Sequence, residues 1–156
     1  MRVTNENVIL SEGVLPLSRN AAAVDGNYIS LKQGQHCTFI IITGAMAGAD
    51  TSVTINQATA VAGTSEKAVS FSWMWTNDGA TATSVLTKTA VTSNTFDLDV
   101  ANAMYVIEID ADMLDVDNGF DCIQLALGAS TGADTVGSIQ MVSEARFMNA
   151  ADVMVD

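Results

Sequence analysis

The feature that most constrains this chain is an alternation of apolar and polar residues with a period of two. Val69, Phe71, Trp73 and Trp75 alternate with Ser70, Ser72, Met74 and Thr76. Phe96, Leu98 and Val100 alternate with Asp97 and Asp99, and Tyr105, Ile107 and Ile109 with Val106 and Glu108. Ile123, Leu125 and Leu127 alternate with Cys122, Gln124 and Ala126, and Ile139 and Met141 with Gln140 and Val142. Successive side chains of a strand point to opposite faces of its sheet, so each run can bury one face and leave the other open. Phe39-Ile40-Ile41-Ile42 departs from the pattern. A short, continuous, β-branched run of this kind reads as a strand buried on both faces.

Turn residues punctuate the runs: Asp25-Gly26-Asn27, Lys32-Gln33-Gly34-Gln35, Asn77-Asp78-Gly79 and Asn118-Gly119. Glycine and asparagine tolerate the backbone angles of tight turns. The small and polar stretches 44–50 and 128–137 read as loops. About eight or nine short strands at this spacing imply a sandwich or barrel. One-sided apolar sheets bury their faces by packing on each other. The expected fold is therefore all-β, a two-sheet β-sandwich of jelly-roll type with extended terminal arms, and an immunoglobulin-like sandwich is the second choice. The one helical candidate is the short stretch 111–116, stopped by Asn118-Gly119.

A length of 156 residues suits one domain. Its centre, 26–147, reads as the sandwich; 1–25 reads as an N-terminal arm or edge segment and 148–156 as a C-terminal tail. The end segments hold the only proline, Pro16, and the apolar groups Val8-Ile9-Leu10, Val14-Leu15 and Val153-Met154-Val155. Either they add edge strands or they are arms that dock on a neighbouring subunit by strand addition.

Charge narrows the function. Eighteen acidic residues against six basic ones give a formal charge of −12, and Arg2, Arg19, Lys32, Lys67, Lys88 and Arg146 are scattered singly. Nucleic-acid binding depends on clustered Lys and Arg that displace counterions, so no nucleic-acid partner is expected. An anionic membrane surface would repel the chain, and no apolar run approaches the roughly 18 residues of a span. Residues 1–6 show no secretory pattern, so synthesis in a cytoplasm is expected. Cys37 and Cys122 are then expected to be buried thiols.

No catalytic, cofactor-binding or metal-binding residue is assigned, and no enzyme is expected. His36 is the only histidine. It adjoins Cys37 on a strand, where neighbours point to opposite faces, so the two make a poor dyad. Asp110, Asp112, Asp115, Asp117 and Asp121 form an acidic cluster. An EF-hand loop needs Gly at its sixth position and Glu at its twelfth. Counted from Asp115, Gly119 falls fifth and Ala126 twelfth; counted from Asp110, Asp115 takes the glycine position. The cluster reads instead as a turn capped by aspartates. No Gly-x-Ser-x-Gly and no phosphate-binding glycine motif occurs. Trp73 and Trp75 share a strand face. Large aromatics there are expected in the core; exposed, they would form a sugar-stacking platform.

Several stretches resemble small virion proteins of tailed bacteriophages: Asn7-Val8-Ile9-Leu10-Ser11-Glu12-Gly13-Val14, Tyr28-Ile29-Ser30-Leu31-Lys32, His36-Cys37-Thr38-Phe39-Ile40-Ile41-Ile42 and 69–78. The most specific is 105–123, which holds Glu108-Ile109-Asp110-Ala111-Asp112-Met113-Leu114-Asp115-Val116-Asp117-Asn118-Gly119. The likeness covers roughly residues 5 to 145. It implies a head decoration or auxiliary capsid protein on the capsid exterior, partnered by the major capsid protein of the head. It also implies a small homo-oligomer, a trimer first among the candidates. It brings no catalytic motif with it.

Overall fold

The computed structural model describes residues 8–20, 22–32, 34–47, 51–79 and 85–143. Among these, with strands numbered in chain order, two antiparallel sheets form. Sheet A runs β1 (Val8–Asn20), β12 (Ala133–Ser143), β4 (His36–Thr43), β10 (Met104–Asp110), β7 (Trp73–Asn77) and β8 (Thr87–Ala90). Sheet B runs β2 (Val24–Asp25), β11 (Cys122–Leu127), β5 (Thr51–Ala58) and β6 (Lys67–Ala68). In addition β3 (Ile29–Ser30) pairs with β11 and β9 (Thr95–Leu98) with β5. The order β1-β12-β4-β10 in one sheet and β2/β3-β11-β5-β6/β9 in the other is that of a jelly roll. The β7–β8 hairpin widens sheet A beyond β10.

The core lies between the sheets. Cys37, Phe39 and Ile41 of β4 and Tyr105, Ile107 and Ile109 of β10 belong to one buried cluster with Val53, Ile55, Ile123, Leu125 and Leu127 of sheet B. Burying a side chain of this size stabilises the fold by about 1.5–3 kcal/mol. Cys37 and Cys122 are both buried and unbridged. Cys37 faces this core, and desolvation pushes its thiol well above the usual range.

Of the two alternatives for 1–25, residues 8–20 take the edge strand. β1 pairs with β12 from Val8 opposite Ser143 to Asn20 opposite Ala133, so the sandwich begins well before residue 26. Two irregularities in that register lie between Glu12 and Val14 and between Val14 and Leu17. Gly13 sits in the first, where a Cβ would lie 2.3 Å from the Ser138 Oγ, and that hydroxyl accepts the Val14 N–H at 2.8 Å. Pro16 is tolerated in the second because this is an edge strand. The proposed arm residues before Val8 and the tail 148–156 lie outside the described residues.

One local expectation changes and two gain detail. The stretch 128–137 is a loop only to Gly132, since β12 starts at Ala133. Asp134 anchors that start, accepting the Ala47 N–H at 2.7 Å, the Thr51 hydroxyl at 3.1 Å and the Ser130 hydroxyl. The stretch 111–116 forms two short 3-10 turns, Ala111–Met113 and Val116–Asn118, the second closed by Gly119 in the left-handed region at φ +82°. Asn77 does start a turn, accepting the Gly79 N–H at 3.0 Å, but β8 resumes only at Thr87, so the hairpin connection is long.

Candidate functional site: an apolar outer face

Residues opposite each other in a ladder share a face, so the register lays out the exposed side of sheet A. Ile139, Ile40, Val106, Trp75 and Lys88 form one row across β12, β4, β10, β7 and β8. Gly137, Ile42, Met104 and Asn77 form the next. On the other side lie Leu10, Met141, Thr38 and Glu108, and then Val8, Ser143, His36 and Asp110. Trp73 is 51% exposed, Leu10 and Ile42 50%, Ile139 45% and Met104 37%. Between β1 and β4 the face dips into an apolar groove of about 620 Å³, lined by Leu10, Leu15, Pro16, Ile40, Ile42 and Ile139. The outer side of sheet B is different: Thr54 lies opposite Ala126 and Asn56 opposite Gln124. One outer face of the sandwich is apolar and the other largely polar.

This face corrects the sequence reading in three places. The Phe39–Ile42 run is not buried on both sides, because only Phe39 and Ile41 enter the core while Ile42 is exposed. Trp73 and Trp75 are not core residues either. The chain leaves sheet B after β6 and joins sheet A at β7; Val69 and Phe71 are buried before the crossing, and after it Met74 packs on the core. The crossing reverses which parity points inward, so the indoles turn out. In β12 the exposed partner is Ile139 and the fully buried one Gln140. Burial of this amide is supported by its Nε2, which donates to the carbonyls of Glu12 at 3.2 Å and Asn27 at 2.9 Å.

A second groove, about 340 Å³, lies beside the indoles. The Lys88 ammonium stands 4.5 Å from the Trp73 ring centre and 5.6 Å from that of Trp75, a cation–π arrangement. His36 lines the same groove and faces away from Cys37, as its strand position requires. Its Nδ1 lies 2.7 Å from Asp110 Oδ1, its Nε2 3.1 Å from Thr38 Oγ1 and 3.9 Å from Glu108 Oε1. The hydroxyl–imidazole–carboxylate series was not anticipated. Its signal is the i, i+2 spacing of His36 and Thr38 on a strand, with Asp110 opposite His36 in register. Thr38 is only 6% exposed, so its hydroxyl is poorly placed to attack a substrate, and the series reads as a structural network.

The acidic turn binds its own chain. The Asp115 carboxylate pairs with Lys67 and accepts two bonds from Asn118 Nδ2, at 2.8 and 2.9 Å. The Lys67 bond, then the Asn118 bond, hold it below the usual carboxylate range. Lys67 also lies 4.0 Å from the Phe120 ring centre. Among the described residues, no group of three or more His, Cys, Asp or Glu is placed to hold a metal ion.

The architecture is that of a jelly-roll β-sandwich with one apolar outer face. No protein-family model and no curated protein matches the chain. Among solved structures it is similar to the SPBc2 prophage-derived protein YomS, with 9% identity and a TM-score of 0.45 over 90% of this chain and 98% of that one. It is also similar to a protein of the Bacillus endospore appendages, described as a novel family of disulfide-linked pili. There the identity is 12% and the TM-score 0.37 over 91% of this chain and 92% of that one.

Proposed function

We propose that the chain is a structural protein of a tailed-phage virion that decorates the head exterior and bridges major capsid protein subunits, working as a small homo-oligomer. The observation that carries this reading is the apolar outer face of sheet A. Contiguous exposed apolar surface of this kind marks an interaction site. The strand β4, whose sequence reads as buried on both sides, acquires its second cover only by assembly. The sequence resemblance to phage virion proteins supplies the partner. Each contact with the head then favours the assembled shell by mass action.

The test is binding to purified expanded heads. The full-length chain should load onto heads and raise their resistance to heat. Trp73→Asp and Met104→Asp, exposed positions outside the groove lining, should fold like the parent and reduce occupancy at least tenfold. A full-length chain that ignores heads sinks the decoration reading.

A second reading, a carbohydrate-binding sandwich, keeps its support because Trp73 is exposed. Against it, Lys88 already stands over both indoles, where a sugar ring would stack. Indole fluorescence unchanged by neutral and acidic oligosaccharides at millimolar concentration would remove it.

A further inference from the structure

The groove between β1 and β4 is open on the described chain, and one segment of the sequence has the composition to fill it. β12 ends at Ser143, opposite His36 and Val8 at one end of sheet A. From there the chain continues as Glu144-Ala145-Arg146-Phe147-Met148-Asn149-Ala150-Ala151-Asp152-Val153-Met154-Val155-Asp156. Read with a strand's period, Phe147, Ala151, Val153 and Val155 share one side. Extended, 144–156 spans roughly 40–45 Å at about 3.3–3.6 Å per residue, enough to cross a six-stranded sheet about 24 Å wide.

Chain direction selects the occupant. To reach the groove of its own sheet, the chain would have to reverse just after Ser143. Residues 144–148 contain no Gly, Pro, Asn, Asp or Ser, the residues that make tight reversals. The first turn-former is Asn149, roughly 20 Å beyond the strand end if the chain stays extended. A segment that does not reverse before Asn149 could reach the groove of a second copy and not its own.

We propose that segment 144–156 of one copy docks in the groove between β1 and β4 of a second copy. Phe147, Val153 and Val155 meet Leu10, Ile40, Ile42 and Ile139. The contact gives the homo-oligomer of the proposed function its interface and rests on that part of the reading alone. It leaves the Trp73–Met104 half of the face for another partner.

The test reads oligomeric state by sedimentation of the full-length protein at micromolar concentration. The parent should be oligomeric. Ile139→Asp, in the groove, and Phe147→Asp, in the segment, should each weaken association at least about 30-fold with an unchanged circular dichroism spectrum. Leu10→Asp replaces Ile139→Asp if the latter does not fold. Mixing the groove variant with the segment variant should restore association, because one supplies an intact segment and the other an intact groove. A monomeric parent overturns the proposal, as does a variant that stays oligomeric or a mixture that stays monomeric. Head binding is measured separately, so an oligomer that ignores heads overturns the decoration reading and leaves the exchange standing.

Discussion

Burying a carboxylate costs several kcal/mol unless donors surround it, and Asp134 is fully buried. Its oxygens receive a backbone N–H from Ala47 and hydroxyls from Thr51 and Ser130, tying the start of β12 to β5 and to the loop before β5. Removing the acceptor leaves these donors in a site closed to solvent, at about 1–3 kcal/mol for each that cannot turn elsewhere. Asp134→Ala should therefore lower stability by roughly 3 kcal/mol in urea titration, and Asp134→Asn, which keeps one acceptor oxygen, by less. Cys37 gives a pH prediction. Its folded thiol is held protonated by burial, while the unfolded thiol ionises near 9.0. The folded pKa is the raised one, so the unfolded state loses its proton first as pH rises. Stability from this group is complete below about pH 8 and declines above 9, by about 1.4 kcal/mol per pH unit. Tyr28 adds to the decline above 10.0, since burial and its 2.5 Å bond to Glu66 hold its phenol protonated. Urea midpoints measured from pH 7 to 10 should fall, and Cys37→Val should flatten the first part of the fall. A flat profile in the parent would count against the buried thiol.

Adjacent residues of β4 separate folding from docking. Ile41 is fully buried and Ile42 half exposed. Ile41→Ala should cost about 2–5 kcal/mol, the range for truncating a core isoleucine. Ile42→Ala should stay within about 0.5 kcal/mol in the isolated chain, as surface changes do. Ile42→Ala should nonetheless weaken self-association, and equal stability losses for the two would deny that β4 has distinct faces. The strands themselves were legible in the sequence, because period-two patterning in Tyr105–Ile109 and Ile123–Leu127 survives in the core. Which face turns inward was legible only where one parity is clearly polar. In β12 both parities carry apolar residues, and the inward choice of Gln140 depends on carbonyls of Glu12 and Asn27, which are far away in sequence. At Trp73 the inversion comes from a sheet crossing, a long-range event that a local window cannot register. The start of β12 was hidden because Asp134 looks like a loop residue until Thr51 and Ser130 are placed beside it. The groove was illegible for the same reason: Leu10, Ile42 and Ile139 converge only through the β1-β12-β4 order.

At the scale of the whole molecule, two terms oppose each other when copies or partners meet on sheet A. Apolar burial favours contact at roughly 25 cal/mol per Å² and is not screened by salt. The formal charge of −12 opposes contact between copies, and added salt screens it. The Debye length falls from about 10 Å at 0.1 M to about 3 Å at 1 M, so most long-range repulsion disappears over that interval while the apolar contact remains. Self-association should consequently tighten with salt, by a few-fold between 0.05 and 0.5 M sodium chloride in sedimentation equilibrium. A protein that used basic residues on nucleic acid would lose affinity steeply over the same range, because each counterion it releases gains less entropy as bulk salt rises. The acidic rim sharpens the expectation, since Glu12, Glu108 and Asp110 sit on the docking face itself. Association that weakens steadily with salt in the parent would mean that opposite charges, and not the apolar face, hold the copies together.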